Sequence, residues 1–201
     1  MKVLTPFGPK IAQLKFNKLI INQINKEVDR ISSQKKLIIK YDYSKKLVGQ
    51  VKQGIRLPKN FITKYLAKKI NQSIKNYIKL TTGKTTKTIK IKNFWVVSQF
   101  SNEYNPVHYH DGHVSGVGYL KIPKFINNKK NLSTNGTIDF INGNKMFLNN
   151  SIFNHNPKVG DVILFPNYLM HTAYPFVSDG ERRSFSFNVE IDNNIVNVFK
   201  K

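Results

Sequence analysis

Two short segments hold four of the five histidines of this chain: His108, His110 and His113 in the first, and His171 in the second. Residues two apart on a strand point to the same face, so His108 and His110 place two imidazoles within reach of one metal ion. His171 follows an apolar run that ends at Pro166, and it supplies a third imidazole. Three ligands on one side of a metal leave positions open for other molecules, as in mononuclear iron sites. The sequence therefore predicts a metal centre.

Eleven residues after the last of these histidines, Arg182 and Ser184 lie two apart in an alternating run that predicts a strand. Their side chains would share a face, where a guanidinium donates two N–H groups to a carboxylate and a hydroxyl adds a third contact. The pair therefore indicates a site for the carboxylate of an acidic cosubstrate. A surface arginine that pairs with Asp179 or Glu181 is the alternative. Tyr119 either offers its hydroxyl to the same cosubstrate or belongs to the core.

Two stretches in the first 80 residues, 13–31 and 61–78, carry apolar side chains at helical spacing. The segment between them, 36–58, is predicted to be mainly loop, with a short strand at 37–41. After Gly83 the pattern changes to short runs of β-forming residues that are separated by Gly, Pro and Asn. The predicted strands are 86–101, 113–122, 135–141, 145–149, 160–165 and 184–191, with loops at 124–135 and 149–158.

Many short strands behind a helical N-terminal part predict a mainly β (α+β) fold, a jelly-roll sandwich with two N-terminal supporting helices. We interpret residues 1–201 as a single domain, with a helical part at 1–80 and the jelly-roll core at 86–191. A chain of this length buries a sizeable core, and its apolar content of 40% is typical of globular proteins.

The composition excludes several kinds of function. The chain has no cysteine, which rules out disulfides, thiolate metal sites and a cysteine nucleophile. The beginning of the sequence has no apolar signal segment, and no apolar run is long enough to span a membrane. We therefore expect a cytoplasmic protein with no membrane partner.

The formal net charge of +22 makes nucleic acid a possible partner, because a basic surface releases counterions from phosphates. Only four of the 33 basic residues are arginines, and the lysines occur with many asparagines and isoleucines, which share A/T-rich codons. Base recognition and bidentate phosphate contacts favour arginine. A biased genome therefore explains much of the charge. Nucleic acid is not the favoured partner, although an enzyme that modifies nucleic acid remains an alternative interpretation.

Three segments resemble the 2-oxoglutarate/Fe(II) oxygenases of marine bacteriophages. In residues 105–123, the pair His108-x-His110 precedes Ser-Gly-Val-Gly-Tyr-Leu, where that family has Ser-Gly-Val-x-Tyr-Leu. The other two are Gly-Asp-Val-Ile-Leu-Phe-Pro-Asn-Tyr-Leu-Met-His at 160–171 and Arg-Arg-Ser-Phe-Ser-Phe-Asn at 182–188. The resemblance covers most of the chain and is most specific in these segments.

The resemblance implies a double-stranded β-helix, a cupin-like jelly roll, that acts as a 2-oxoglutarate-dependent dioxygenase of the hydroxylase type. It implies Fe(II) on the histidines and 2-oxoglutarate with its C5 carboxylate on Arg182, with Ser184 and Tyr119 as further cosubstrate contacts. Such an enzyme uses O2, releases succinate and CO2, and hydroxylates a substrate that the sequence does not identify. If it is phage-encoded, it works in the host cytoplasm.

The ligand set departs from the wider pattern of 2-oxoglutarate oxygenases, in which His-x-Asp or His-x-Glu precedes a distal histidine. His110 stands at the carboxylate position, and Asp111 comes one residue later. We expect His108, His110 and His171 as the ligands, with Asp111 in place of one histidine as the alternative. A cupin-like metal-binding protein without catalysis and a basic nucleic-acid-binding protein are the rival interpretations.

Overall fold

The computed structural model describes residues 1–4, 8–126, 134–197 and 199, and within them eleven strands form two antiparallel sheets. The larger sheet has the order β1 (Lys2–Leu4), β2 (Ile11–Lys15), β9 (Asp161–Pro166), β6 (Val114–Lys121), β11 (Arg182–Ile191), β4 (Ile89–Gln99) and β3 (Gln53–Arg56). The smaller sheet has the order β5 (Asn105–His108), β10 (Met170–Ala173), β7 (Ile138–Ile141) and β8 (Ile152–His155). This sandwich confirms the predicted jelly-roll architecture.

Helices cover the outer face of the larger sheet. They are α1 (Lys18–Ser32), α2 (Lys35–Tyr41), a continuous run of α3 (Lys59–Phe61), a π-helical turn (Ile62–Leu66) and α4 (Ala67–Thr82), and the short α5 (Asn193–Val196), with a 3₁₀ turn at Ser44–Lys46. Helices α1 and α4 each bury an apolar stripe in the core that the larger sheet also contributes to. They are the two supporting helices that the sequence predicts. No helix in the described ranges is long and apolar enough to cross a membrane.

The first helix begins later than predicted. Residues 13–15, assigned to a helix from their spacing, belong to β2, where Leu14 lies opposite Val162 of β9. The side chain of Asn17 then caps α1 by accepting a hydrogen bond of 3.0 Å from the N–H of Ile20. An asparagine at this position satisfies an otherwise unpaired N–H of the first turn, so the helix starts there.

The predicted strand at 37–41 is wrong, because these residues form most of α2. The isoleucines at 38 and 39 favour a strand by propensity, but both are exposed. Leu37 and Tyr41, four residues apart, pack against the core as on one side of a helix, whereas Ile39, which a strand would place on the same side, is 71% exposed. Tertiary packing overrides the local preference of this segment.

Two predictions in the second half of the chain are also wrong. Residues 145–149 form no strand but a tight turn, in which Met146 and Asn149 make an isolated bridge and the side chains between them are exposed. The loop predicted at 149–158 contains strand β8, which pairs with β7. Of the loop predicted at 124–135, residues 127–133 lie outside the described residues.

The larger sheet separates the helices from an internal cavity. On its outer face, the ring of Phe94 is fully buried and stacks on Phe185 and Phe187, with ring centres 5.3 Å and 6.0 Å apart. Residues of the opposite pleat face the smaller sheet, where a cavity of about 180 Å³ lies between the two sheets. The residues that β4 and β11 contribute to it are Trp95, Val97, Gln99, Arg182, Ser184, Ser186 and Asn188.

Two glycines of β6 allow the phenylalanine rings to lie flat on the sheet. Gly116 is opposite Phe187, and Gly118 is opposite Phe185, in the register of β6 with β11. A Cβ at Gly116 would lie 2.3 Å from the ring of its partner, and one at Gly118 would lie 2.2 Å away. No side chain fits in this space, so glycine is required by packing at both positions.

Strand β5 forms one edge of the smaller sheet. Within the described part of the chain it pairs only with β10, so its second side has no strand partner. Pro106 lies inside this edge strand, where its missing N–H leaves no donor on the ladder. The strand therefore brings its last residue, His108, to an open edge next to the cavity.

Candidate metal centre and cosubstrate pocket

The predicted histidines meet at one end of the cavity. His108 on β5 lies directly opposite His171 on β10, and their ring centres are 4.2 Å apart. The ring of His110 lies 5.2 Å from the ring of His108 and 4.7 Å from that of His171. One nitrogen from each ring is within 4.8 Å of the other two, and these three residues form the one group of potential metal ligands among the described residues.

Backbone contacts hold His110 beside the strand pair. Its N–H donates to the carbonyl of Asn167 at 2.9 Å, and the side-chain amide of Asn167 donates back to the His110 carbonyl at 3.1 Å. Asn167 follows β9 and precedes β10, so the same loop that leads to His171 fixes His110. The indole of Trp95 stands edge-on to His110, with ring centres 5.5 Å apart.

Two of the imidazoles are oriented by carbonyl groups of their own segments. Nδ1 of His108 lies 2.7 Å from the carbonyl oxygen of Pro106, and Nδ1 of His171 lies 3.0 Å from that of Leu169. A carbonyl only accepts hydrogen bonds, so each Nδ1 carries the proton and each Nε2 keeps its lone pair. This second contact is the arrangement that orients histidine ligands in metalloproteins.

The protonation of the three rings suits a cation. Burial lowers the pKa values of His108 and His171, and burial with a smaller effect of His108 lowers the pKa of His110 to about 4. All three are therefore neutral near pH 7, the form that binds metal. Nδ1 of His110 is also buried without a hydrogen-bond partner. A neutral set of three imidazoles fits Fe(II), and it would hold the ion with its full charge.

Asp111, the alternative ligand, lies at the rim of the cavity and points to solvent. Its side chain is 72% exposed and forms an ion pair of 2.7 Å with Lys92, a hydrogen bond that lowers the pKa of the carboxyl group. The other two histidines lie elsewhere. Nδ1 of His113 accepts the N–H of Ile191, and His155 on β8 is buried 3.4 Å from a carboxylate oxygen of β9.

Arg182 lies buried at the other end of the cavity and is only 2% exposed. Its Nη1 donates to the side-chain oxygen of Gln99 at 2.7 Å, and its guanidinium carbon lies 5.3 Å from the centre of the Tyr119 ring. No carboxylate of the described residues forms an ion pair with it, and its Nε is buried without a hydrogen-bond partner. A buried cation without a counter-ion is unfavourable, so this site favours an anionic ligand.

Two further donors lie beside this guanidinium. Ser184 lines the cavity on the same face of β11, as its spacing from Arg182 predicts. The Tyr119 side chain is fully buried, and its hydroxyl has no hydrogen-bond partner. Burial raises the pKa of Tyr119, so the hydroxyl keeps its proton and remains a donor. The three side chains can together accommodate one carboxylate.

The ion pair with Glu181 that was the alternative for Arg182 is formed by the next residue, Arg183. Arg183 points to the helices, where it lies 2.6 Å from a carboxylate oxygen of Glu181 and 2.7 Å from one of Asp29 on α1. Strand β11 thus sends one arginine into the cavity and the next into an ion-pair cluster that joins the sheet to α1. The alternation along the strand separates the two roles.

One wall of the cavity comes from a segment that the sequence does not connect with the site. Tyr43 stacks on Trp95 with ring centres 5.4 Å apart, and the following residues continue over the cavity mouth. They are Lys46, Leu47 and Val48. Gln99, which holds Arg182, carries no recognisable motif either. Both depend on contacts between residues more than 45 positions apart, which spacing rules do not detect.

Comparison with known proteins relates the site to one class of enzymes. Residues 93–188 match the model of a family described as "Putative 2OG-Fe(II) oxygenase", where 2OG is 2-oxoglutarate. This stretch contains all three clustered histidines and Arg182. A comparison with curated proteins found no match. The segment that builds the site is therefore similar to the 2OG-Fe(II) oxygenases, in agreement with the predicted dioxygenase class and with the expected cofactors, Fe(II) and 2-oxoglutarate.

Several solved structures share the fold over most of both chains. A viral collagen prolyl hydroxylase from Paramecium bursaria chlorella virus 1, in complex with 2OG, has 16% identity and a TM-score of 0.56, with 89% of this chain and 94% of that chain covered. A prolyl-4-hydroxylase from Pseudomonas putida has 12% identity, a TM-score of 0.60 and coverages of 89% and 91%. HygX from Streptomyces hygroscopicus with iron bound has 12% identity, a TM-score of 0.57 and coverages of 90% and 81%.

These likenesses confirm the predicted double-stranded β-helix fold. At such low identity they carry no information about the substrate of this chain. The bacteriophage origin that the sequence resemblance implied stays a prediction.

Proposed function

We propose that this protein is a hydroxylase, an Fe(II)- and 2-oxoglutarate-dependent dioxygenase that inserts oxygen into a C–H bond of its substrate. One observation carries the proposal. A single cavity contains three neutral imidazoles at one end and, at the other, a buried arginine without a carboxylate partner among the described residues. 2-Oxoglutarate has the matching chemistry, because its 2-oxo acid group chelates a metal and its C5 carboxylate needs a cationic partner.

In this proposal His108, His110 and His171 hold Fe(II), and Asp111 is not a ligand. When it is bound, the iron supplies the activation of O2 that is coupled to the oxidation of 2-oxoglutarate to succinate and CO2. One oxygen atom of O2 enters succinate and the other enters the substrate, which is released as an alcohol. The hydroxylase type is supported by the shared fold with prolyl hydroxylases.

The protein's own residues position the cosubstrate. Arg182 binds the C5 carboxylate, with the hydroxyls of Ser184 and Tyr119 as further donors. Gln99 accepts a hydrogen bond from one guanidinium nitrogen, which leaves the other N–H groups for the carboxylate. Tyr119 and Arg182 are buried, and exclusion of water strengthens the ion pair that the guanidinium would make with the carboxylate.

The first test is succinate formation by anaerobic, iron-loaded protein that receives 2-oxoglutarate and then oxygen. We expect slow turnover without substrate, and its loss in His171→Ala, because a two-imidazole site would not retain Fe(II) in position. Calorimetric titration with Fe(II) provides the control for binding. Bound iron together with no succinate, with or without candidate substrates, would instead indicate a metal-binding protein without catalysis.

A further inference from the structure

The positive charge of the chain is concentrated in one segment. Residues 33–92 contain seventeen lysines and arginines and a single acidic residue, Asp42, so they carry a net +16 of the +22 of the whole chain. Residues 93–201 contain ten basic and eight acidic residues, a net +2. A codon bias acts along the entire sequence and would not spare the second half. The asymmetry therefore favours a partner that binds positive charge at this segment, and it revises the expectation that a biased genome explains much of the charge.

Most of these cations form no ion pair with an acidic side chain of the described residues. Of the seventeen cations, only Lys90 and Lys92 form ion pairs with described residues. All fifteen lysines between positions 35 and 90 have exposed side chains. Elsewhere several acidic residues pair with cations outside this segment, as Asp29 and Glu181 do with Arg183. The basic segment is thus free to bind an external polyanion.

The basic segment leads to the mouth of the cavity. Lys46 lines the mouth itself. Arg56 on β3 lies opposite Trp95, which lines the cavity with its side chain. On the other side of this strand pair, Arg56, Lys59 and Lys92 line a second groove of about 320 Å³. Unpaired positive groups therefore lie both in this groove, as Arg56 and Lys59, and at the entrance of the proposed iron site, as Lys46.

Aromatic rings accompany the cations at the mouth. The stacked pair of Tyr43 and Trp95 stands beside His110, and Lys46 lies 5.9 Å from the centre of the Tyr43 ring. Tyr109, between two of the proposed ligands, is 67% exposed. Flat rings interleaved with cations form the kind of surface on which proteins bind the bases and phosphates of single strands.

We propose that residues 33–92 bind single-stranded nucleic acid and present one of its nucleotides to the iron site as the substrate. The phosphates would follow Lys45, Lys46, Arg56 and Lys59, and a base would stack on Tyr43, the half-buried ring that stacks on the buried Trp95. A base in a duplex is enclosed by stacking and pairing and does not reach an internal cavity, so an unpaired strand fits this mouth. The substrate part of this inference rests on the proposed hydroxylase function; the binding part does not.

Binding is tested on metal-free protein, so that its outcome is independent of catalysis. Fluorescence anisotropy with labelled oligo(dT) and oligo(U) of ~15 nucleotides, within the site size of single-strand binders, distinguishes DNA from RNA. We expect tight binding that weakens with salt, and an increase of the Kd by about tenfold or more in Lys45→Gln/Lys46→Gln/Arg56→Gln. Each lost phosphate contact should lower the slope of log K against log salt by about 0.7.

A matched variant separates this surface from net charge alone. Lys124→Gln/Lys145→Gln/Lys158→Gln removes three exposed lysines outside the segment and should leave the Kd within about twofold. Tyr43→Ala should weaken binding by about fivefold or more through lost stacking. Equal weakening by both triple variants, equal affinity for duplex, or tighter binding to anionic phospholipid vesicles than to oligonucleotides would overturn the proposal.

The substrate part is tested with iron-loaded protein and the oligonucleotide that binds better. We expect succinate formation to rise several-fold and the nucleosides of the digested oligonucleotide to gain the mass of one oxygen atom. Unchanged turnover with intact binding would overturn the assignment of nucleic acid as substrate. Absence of all 2-oxoglutarate turnover, while binding persists, would instead contradict the proposed hydroxylase function.

Discussion

The guanidinium of Arg182 can donate two hydrogen bonds to one carboxylate, and it is buried. Both properties favour binding of the C5 carboxylate of 2-oxoglutarate. Gln99 accepts from one nitrogen, and the remaining N–H groups stay available for a carboxylate. A lysine has one compact ammonium group and lacks the two parallel N–H donors that a guanidinium directs to a carboxylate. We expect Arg182→Lys to raise the apparent 2-oxoglutarate constant in the succinate assay by about tenfold or more, since hydrogen bonds to charged groups are worth about 1.5–3 kcal/mol.

The neighbouring arginine provides the matched control. Arg183→Lys changes the same residue type on the same strand, but its side chain faces α1. It should leave the 2-oxoglutarate constant unchanged while lowering stability. An equal rise of the constant in both variants would show that strand β11 responds as a whole and that Arg182 has no separate role.

The ligand assignment gives a second prediction for single residues. Asp111→Ala should leave Fe(II) affinity within about twofold, because the carboxylate is directed to solvent and paired with Lys92. His171→Ala should abolish measurable binding, since it removes the most buried of the three imidazoles. Isothermal titration with Fe(II) under anaerobic conditions compares the two variants. Similar losses in both would make Asp111 a ligand.

The sequence is informative about these residues for a physical reason. The alternation of strand β11 places Arg182 and Ser184 on a common face, and such a local rule can be read directly. For His108 and His110 the strand rule does not apply as predicted, because β5 ends at His108 and contacts with Asn167 position His110. Neither the contact of Gln99 with Arg182 nor the place of the segment 43–48 follows from a local rule. The first depends on the pairing of β4 with β11, and the second on how β4 packs against β3 and its preceding turn.

Among the elements, strand β6 has the tightest packing constraint. Gly118→Ala would place a methyl group 2.2 Å from the Phe185 ring, so the ring or the strand must move. Because overpacking a core usually costs 1–3 kcal/mol, we expect about that loss in the free energy of unfolding in urea. Gly8→Ala is the control, since a Cβ there meets nothing within 4 Å. Equal stability of the two variants would contradict the packing argument.

Sequence patterns identify elements well where local and tertiary preferences agree. The helix at 61–78 and the strand at 184–191 lie within α4 with its preceding turns and within β11. Prediction failed where the two disagree. Residues 38 and 39 favour a strand but lie in α2, and the asparagine-rich stretch around β8 favours a loop but pairs with β7. In both cases a neighbouring element supplies the contacts that decide the structure.

At the scale of the whole molecule, ligand binding should stabilise the fold. Three ligands and Arg182 come from β5, β10, β11 and the turn after β5, so an occupied site links both sheets. Nickel can replace iron in this test because it does not support turnover. With nickel bound, 2-oxoglutarate at about 100 times its Kd should raise the free energy of unfolding by about 2.7 kcal/mol. For a chain of this size that raises the Tm by roughly 5–10 °C in differential scanning calorimetry. His171→Ala should show no such rise; an equal rise would indicate binding elsewhere.

The contribution of the first 80 residues extends beyond the two supporting helices. Strands β1 and β2 form one edge of the larger sheet, and β3 forms the other. The sequence pattern divides the chain into a helical part at 1–80 and a jelly-roll core at 86–191. These two parts are not separate layers of the structure, because both contribute strands to the larger sheet. The same N-terminal region also supplies the basic residues at the cavity mouth.

Pro106 has a further consequence for how copies of this protein behave at high concentration. An unpaired strand edge normally attracts another chain, which adds to the sheet and starts aggregation. In β5 the proline interrupts the row of donors that such a chain would need. The edge beside the proposed iron site can therefore stay open to small molecules without pairing with a strand of another chain. Pro106 thus limits aggregation at this edge and keeps the edge accessible.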